Sequence, residues 1–122
     1  MEIQKEMPTV LVVDDEPLIR LYTCGLIEEA GYQTREANAD EAMRQLAQDG
    51  ISIVLTDIEM PGSMDGLALA RRVRATWPHI AVIVASGRHL PRPEELPEDS
   101  PFLSKPFSRE RLVSVVANAG QR

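Results

Sequence analysis

One cysteine among 122 residues leaves no internal disulfide to staple the chain, and aromatic residues, at 4%, cannot dominate its interior. Stability must come from aliphatic packing. No apolar run approaches the roughly 18–20 residues that would span a bilayer, and the first eight residues lack the basic-then-apolar layout of a secretory signal. Membrane insertion is excluded on this reading, and a cytoplasmic protein is expected. Basic clusters are also missing; a net charge of -6 repels phosphate backbones and disfavours direct binding of nucleic acid. Cys24 falls inside a helical pattern, where it reads as a buried small hydrophobe rather than a reactive thiol. What remains is ordinary globular material, 43% apolar and 26% charged, without repeats, low-complexity tracts or linkers. The length suits one compact domain over residues 1–122, with no output domain expected after it.

Short aliphatic runs without alternation mark strands buried on both faces. Thr9 to Val13 is the first, and it stops at two aspartates, Asp14 and Asp15. Pro17 suits the first turn of a helix, whose apolar positions recur through Ile19, Tyr22, Leu26 and Ile27 before Gly31 stops it. Gln33 to Glu36 forms a short second strand; Asn38, with Glu41 three residues on, starts a helix predicted to end near Gly50. Ile51 to Thr56 is a third strand ending at Asp57, Asp65 caps a helix carrying Leu67, Ala70 and Val73, and Ile80 to Ala85 is a fourth strand ending at Ser86. From Arg88 to Pro101 the alternation falters, because prolines at 91, 93, 97 and 101 each remove a backbone donor. One turn near Pro93 to Leu96 is the most this stretch can form. Phe102 and Leu103 make a brief fifth strand, and Ser108 caps a last helix with Leu112, Val113, Val115 and Val116.

Strands and helices that alternate in this way require parallel strands joined by right-handed crossovers. The fold class is therefore α/β, a doubly wound five-stranded parallel sheet with helices on both faces and the helix before the fifth strand short or absent. Ligands of such sheets bind beyond the carboxyl ends of the strands. Those ends carry Asp14, Asp15, Asp57, Ser86 and Lys105. Each alone has a bland explanation: aspartate caps helices, serine makes turns and lysine is solvated. Together, three carboxylates at one edge repel one another until a proton or cation relieves them. A hard divalent ion fits best, and magnesium, with its oxygen ligands and retained waters, fits better than zinc, since neither His79 nor His89 has a ligand-like partner. With a metal and Lys105 neutralising phosphoryl oxygens, Asp57 on the central strand could attack phosphorus in line and form an acyl phosphate.

In order and spacing, Val10-Leu-Val-Val-Asp-Asp-Glu-Pro17, Leu55-Thr-Asp-Ile-Glu-Met-Pro61, Asp65-Gly66, Ala85-Ser-Gly87 and Lys105-Pro106-Phe107 resemble the response-regulator receiver domains of two-component signalling. The resemblance covers nearly the whole chain and implies strand order 2-1-3-4-5. It implies that Asp57 is the phosphoacceptor, Asp15 a direct magnesium ligand, Asp14 a ligand acting mainly through water, and Glu59 a ligand through its backbone carbonyl. It makes Ser86 the switch hydroxyl, Lys105 the cation that pairs with the phosphoryl group ahead of a cis peptide to Pro106, and Phe102 the aromatic switch. Glu59 and Arg88 occupy positions that tune phosphoryl lifetime in the family, and their opposite charges suggest a pair across the mouth of the site. The implied partners are a histidine kinase or histidine phosphotransfer protein and a downstream protein whose identity is open. Leu18 and Leu21 on helix one are either a docking surface or core.

Two departures stand out. The family's full fourth helix is not encoded in Arg88 to Pro101, so this stretch is expected to be the most mobile internal segment, and Pro61-Gly-Ser-Met64 looks a residue or two longer than the shortest family version. Two other functions compete with this one. An aspartyl-phosphate phosphohydrolase would carry a second aspartate two residues after the nucleophile, where this chain has Glu59, so a switch rather than a turnover enzyme is expected. A degenerate receiver serving only as a binding module would not need all five residue types that are present.

Overall fold

In the computed structural model the described residues are 8–60, 65–88 and 90–120. The opening segment, the 61–64 loop and His89, on which expectations were placed, lie outside them. Strands β1 (Thr9–Val13), β2 (Gln33–Ala37), β3 (Ile51–Asp57), β4 (Ala81–Ser86) and β5 (Phe102–Ser104) alternate with helices α1 (Pro17–Glu29), α2 (Ala39–Leu46), α3 (Gly66–Thr76) and α4 (Arg109–Ala119). All strands pair in parallel, in the order β2-β1-β3-β4-β5.

Because successive strand side chains point to opposite faces, each central strand feeds two cores. Leu11, Val13, Val54, Val82 and Val84 pack with α2 and α3, through residues such as Ala42, Leu69 and Val73. Val10, Val12, Ile53, Leu55 and Ile83 pack with α1 and α4, through Cys24, Ile27, Leu112 and Val116. Each of these aliphatic side chains contributes about 1.5–3 kcal/mol by leaving water, which explains why the strands read as unbroken apolar runs. Cys24 is buried among them, and burial pushes its thiol up to about 11, which makes it inert.

Three helix starts follow the expected chemistry: the side chains of Asn38, Asp65 and Ser108 accept from the backbone N–H groups of Glu41, Ala68 and Arg111. The Glu41 carboxylate closes a capping box by accepting from Asn38 N–H. Helix α2 stops at Leu46 rather than near Gly50. Helix α1 differs more. Its buried positions are Thr23, Cys24 and Ile27, whereas Ile19 and Tyr22, expected on the core side, are exposed. Only the later turns of α1 lie over the sheet. Leu18 and Leu21 are 81% and 59% exposed, so the core reading of these leucines is overturned. Between β4 and β5 a single 3-10 turn, Pro93–Glu95, stands where a helix would otherwise cross, as the prolines require.

Candidate functional site

Strand order reverses between β1 and β3, and the carboxyl ends of these two strands deliver Asp14 and Asp57 side by side. Both are buried, at 5% and 8% exposure, as is Ser86 at the end of β4. Burying two carboxylates is costly unless charge compensates them. Lys105, just beyond β5, does so: its Nζ donates to Asp14 Oδ2 at 3.1 Å and stands 3.4 Å from Asp57 Oδ1. Lys105 N–H donates to Ser86 O, which sets its backbone beside the end of β4, and the Lys105–Pro106 peptide is cis, as expected. Burial pulls the ammonium down, but the Asp57 and Asp14 carboxylates outweigh it and leave Lys105 above its usual value.

The approach of Lys105 to Asp57 Oδ1 lacks hydrogen-bond geometry, and that buried oxygen has no hydrogen-bond partner. Burial, opposed by Lys105 and reinforced by the neighbouring Glu59 and Asp14, raises Asp57 from the ordinary 3.8 to about 7. Asp57 is thus a carboxylate short of positive charge. A cation at this oxygen would satisfy it. Among the described residues no three Asp, Glu, His or Cys side chains converge into a protein-only cage. Magnesium, which keeps several waters and takes one or two carboxylates, suits such a donor set; a closed zinc cage does not. A cavity of about 10 Å³, bounded by Asp14, Asp57 and Lys105 together with Thr23 and Phe107, adjoins these groups.

Asp15 is placed beside this centre but engaged elsewhere: its Oδ1 accepts from Ala39 N–H at the start of α2, 3.1 Å away. Asp14 Oδ1 accepts from Glu16 N–H at 2.9 Å, which shapes the turn into α1. Glu59 and Arg88 meet, yet through backbone: Arg88 N–H donates to Glu59 Oε1 at 2.9 Å, and the Ser86 hydroxyl donates to the same oxygen. Phe102, paired with Val84 in the sheet, is partly buried against the α2–α3 core.

Two contributors escaped the sequence reading. Arg20 on α1 donates to Asp14 O at 2.7 Å and to Glu36 Oε1 at 3.0 Å, pinning the end of β1 from outside. Its signal, a cation one turn into a helix that follows two aspartates, was visible but not distinctive. The second is the role of Gly66, which the Asp65-Gly66 motif names without giving its reason. A Cβ there would lie 1.8 Å from Asp57 O, so only glycine lets α3 start against the backbone of Asp57.

The family model described as the response regulator receiver domain matches residues 10–117. The C4-dicarboxylate transport transcriptional regulatory protein DctD of Rhizobium meliloti is 35% identical over 119 residues, a match covering 94% of this chain and 26% of DctD. The CAI-1 autoinducer sensor kinase/phosphatase CqsS of Vibrio cholerae is 34% identical, with 17% of its length covered, so the chain spans about a quarter or less of these relatives. The response regulator receiver protein CpdR of Brucella abortus is 33% identical over 114 residues, covering 90% of this chain and 94% of CpdR. Among solved structures, a response regulator receiver protein from Sinorhizobium medicae superposes with a TM-score of 0.87 at 28% identity, covering 95% of this chain and 96% of that one. The receiver domain of NtrX from Brucella abortus gives 0.81 at 33% identity, with 92% and 98% covered. With the motifs, the sheet order and the acidic strand ends in agreement, the chain belongs to the response-regulator receiver domains of two-component systems, a family of signalling switches rather than turnover enzymes.

Proposed function

We propose that Asp57 accepts a phosphoryl group from a phosphohistidine on a partner kinase or phosphotransfer protein. The observation that carries this reading is the buried, hydrogen-bond-deficient Asp57 Oδ1 beside Lys105 at the end of the central strand. In the transfer, a carboxylate oxygen of Asp57 forms the new O–P bond as the N–P bond breaks, and the imidazole leaves with the electron pair. Lys105 holds its proton and compensates phosphoryl oxygens, Asp14 keeps Lys105 in place, and Ser86 offers its hydroxyl to a phosphoryl oxygen. Asp57, Asp15 and the Glu59 carbonyl would hold magnesium, with Asp14 acting mainly through water, and the bound ion would supply charge compensation for the same oxygens. Phe102 follows the hydroxyl as the aromatic switch, and Glu59 with Arg88 sets how long the phosphoryl group survives.

The partner is proposed to dock on the exposed start of α1. Ile19, Tyr22 and Thr23 line one wall of an apolar groove whose other wall is Gly87, Arg88 and Pro106, directly beside Lys105. Leu18 and Leu21 extend the apolar surface. Residues 1–122 are proposed to form one receiver unit that signals through protein–protein contacts in the cytoplasm. The near-full coverage of CpdR supports this arrangement, and no helix among the described residues is long and apolar enough to cross a membrane. Intact-protein mass after incubation with acetyl phosphate tests the reading. We expect a magnesium-dependent gain of one phosphoryl group that Asp57→Asn abolishes; no gain in the wild type would leave a binding module in place of a switch.

A further inference from the structure

A serine hydroxyl has one proton to donate, so Ser86 can serve one acceptor at a time through it. In this structure that acceptor is Glu59 Oε1, which also takes the Arg88 N–H at 2.9 Å. Two donors from the end of β4 thus converge on one anionic oxygen, next to Asp57. The arrangement is set by backbone: Ile58 N–H donates to Ala85 O, continuing the β3–β4 pairing past the strand ends and holding Glu59 opposite Ser86 and Arg88. Ser86 is 1% exposed, so its hydroxyl cannot turn to solvent for a substitute.

We propose that the Glu59 carboxylate is a tethered occupant of the Ser86 hydroxyl that a phosphoryl group on Asp57 requires, and that phosphorylation expels it, releasing the Arg88 N–H. The proposal rests on the phosphoacceptor reading above and deepens it. Two anions cannot both take the one proton of the Ser86 hydroxyl. Charge-assisted hydrogen bonds are about twice as strong as neutral ones, so the resting contact opposes phosphorylation and is replaced rather than supplemented by it. Arg88 is the second residue of the connection to β5, which has no α-helix among its described residues. Loss of the Glu59 bond therefore frees one end of this connection when Asp57 is modified.

The test compares the wild-type chain of residues 1–122 with Glu59→Ala, Glu59→Gln and Glu59→Asp, all of which keep the backbone carbonyl. Initial rates of phosphorylation by acetyl phosphate with magnesium should rise by about tenfold in Glu59→Ala, as loss of a charge-assisted contact implies. Glu59→Gln should fall between. Glu59→Asp is the discriminating variant, because it keeps the charge but is one methylene too short to reach Ser86. It should behave as Glu59→Ala does, and if it matches the wild type the effect is general repulsion and the proposal is overturned. In amide NMR without phosphodonor, the Arg88 resonance should move upfield in both variants; an unmoved resonance also overturns the proposal. Phosphoryl gain at equal rates in all four proteins overturns the tethered occupant alone. No gain in any of them overturns the phosphoacceptor reading and the tethered occupant with it.

Discussion

The two connections that flank β4 solve one problem in different ways. Between β3 and β4 the chain crosses with α3, which buries Leu67, Leu69, Ala70 and Val73 and seats Gly66 on the backbone of Asp57. Between β4 and β5 it crosses with a single 3-10 turn that buries nothing. Its ties include Leu96, partly buried against the α2–α3 core, a hydrogen bond from Arg71 to Glu95 O at 2.9 Å, and an Arg74–Asp99 ion pair at 3.9 Å. Parallel pairing needs a crossover long enough to return, not necessarily a helical one. The comparison teaches that the connection beside Asp57 is fixed by packing, while the one before β5 relies on one partly buried leucine and polar contacts that contribute little each.

The largest expected effect breaks the packed side. In Gly66→Ala the new Cβ would meet Asp57 O at 1.8 Å and Asp57 C at 2.6 Å, and backbone cannot yield as a flexible side chain does. We expect a loss of about 4 kcal/mol or more, read as a large fall in the urea midpoint, whereas Glu94→Ala in the 3-10 turn should change stability by less than about 0.5 kcal/mol. Equal costs at the two positions would erase the contrast.

The next effect concerns Asp57, and it is a pH effect. Because its folded pKa is raised to about 7 from 3.8, the folded state favours the protonated form. Its stabilising contribution is complete below about pH 4 and is lost as pH rises through 7. Asp57→Asn has no such loss. Without divalent metal, the variant should match the wild type near pH 4 and exceed it at pH 8 by on the order of 2–4 kcal/mol, measured by urea denaturation. Magnesium at pH 8 should narrow the gap by stabilising only the wild type. A gap that does not change between pH 4 and 8 would mean that Asp57 carries no ionisation penalty.

The difference between the two connections also marks where sequence was legible. Buried parallel strands are contiguous in sequence and aliphatic, so β1, β3 and β4 showed directly, the polar β2 and the short β5 showed through their place in the alternation, and caps at Asn38, Asp65 and Ser108 rely on side chains within three residues of their targets. The acidic strand ends followed from a rule about sheets. The end of α2 did not show, because neither Ala47 nor Gln48 breaks a helix and Gly50, at φ 112°, acts only after the turn is complete. Neither did the outward face of α1: an apolar residue is written alike whether the sheet lies beneath it or a groove beside it. The hold of Glu59 on Ser86 and Arg88 joins residues 27 and 29 positions apart, and only the register of β3 against β4 brings them together.

The smallest effects test the loosely held side. Leu96→Ala should cost about 1–2 kcal/mol, against about 2–5 for fully buried Leu69→Ala, because a half-buried site removes less surface and leaves no sealed cavity. Arg71→Ala should cost less than about 1 kcal/mol, as its bond to Glu95 O is exposed. The informative readout is local. The amides of Glu95, Leu96 and Ser100 donate only to carbonyls three residues back, so they should exchange through small openings, far faster than the amides of β3. Arg71→Ala should speed Glu95 and Leu96 further without altering β3. If these amides instead exchange as slowly as those of β3, the prolines hold the segment rigid, and the two connections differ in shape but not in stability.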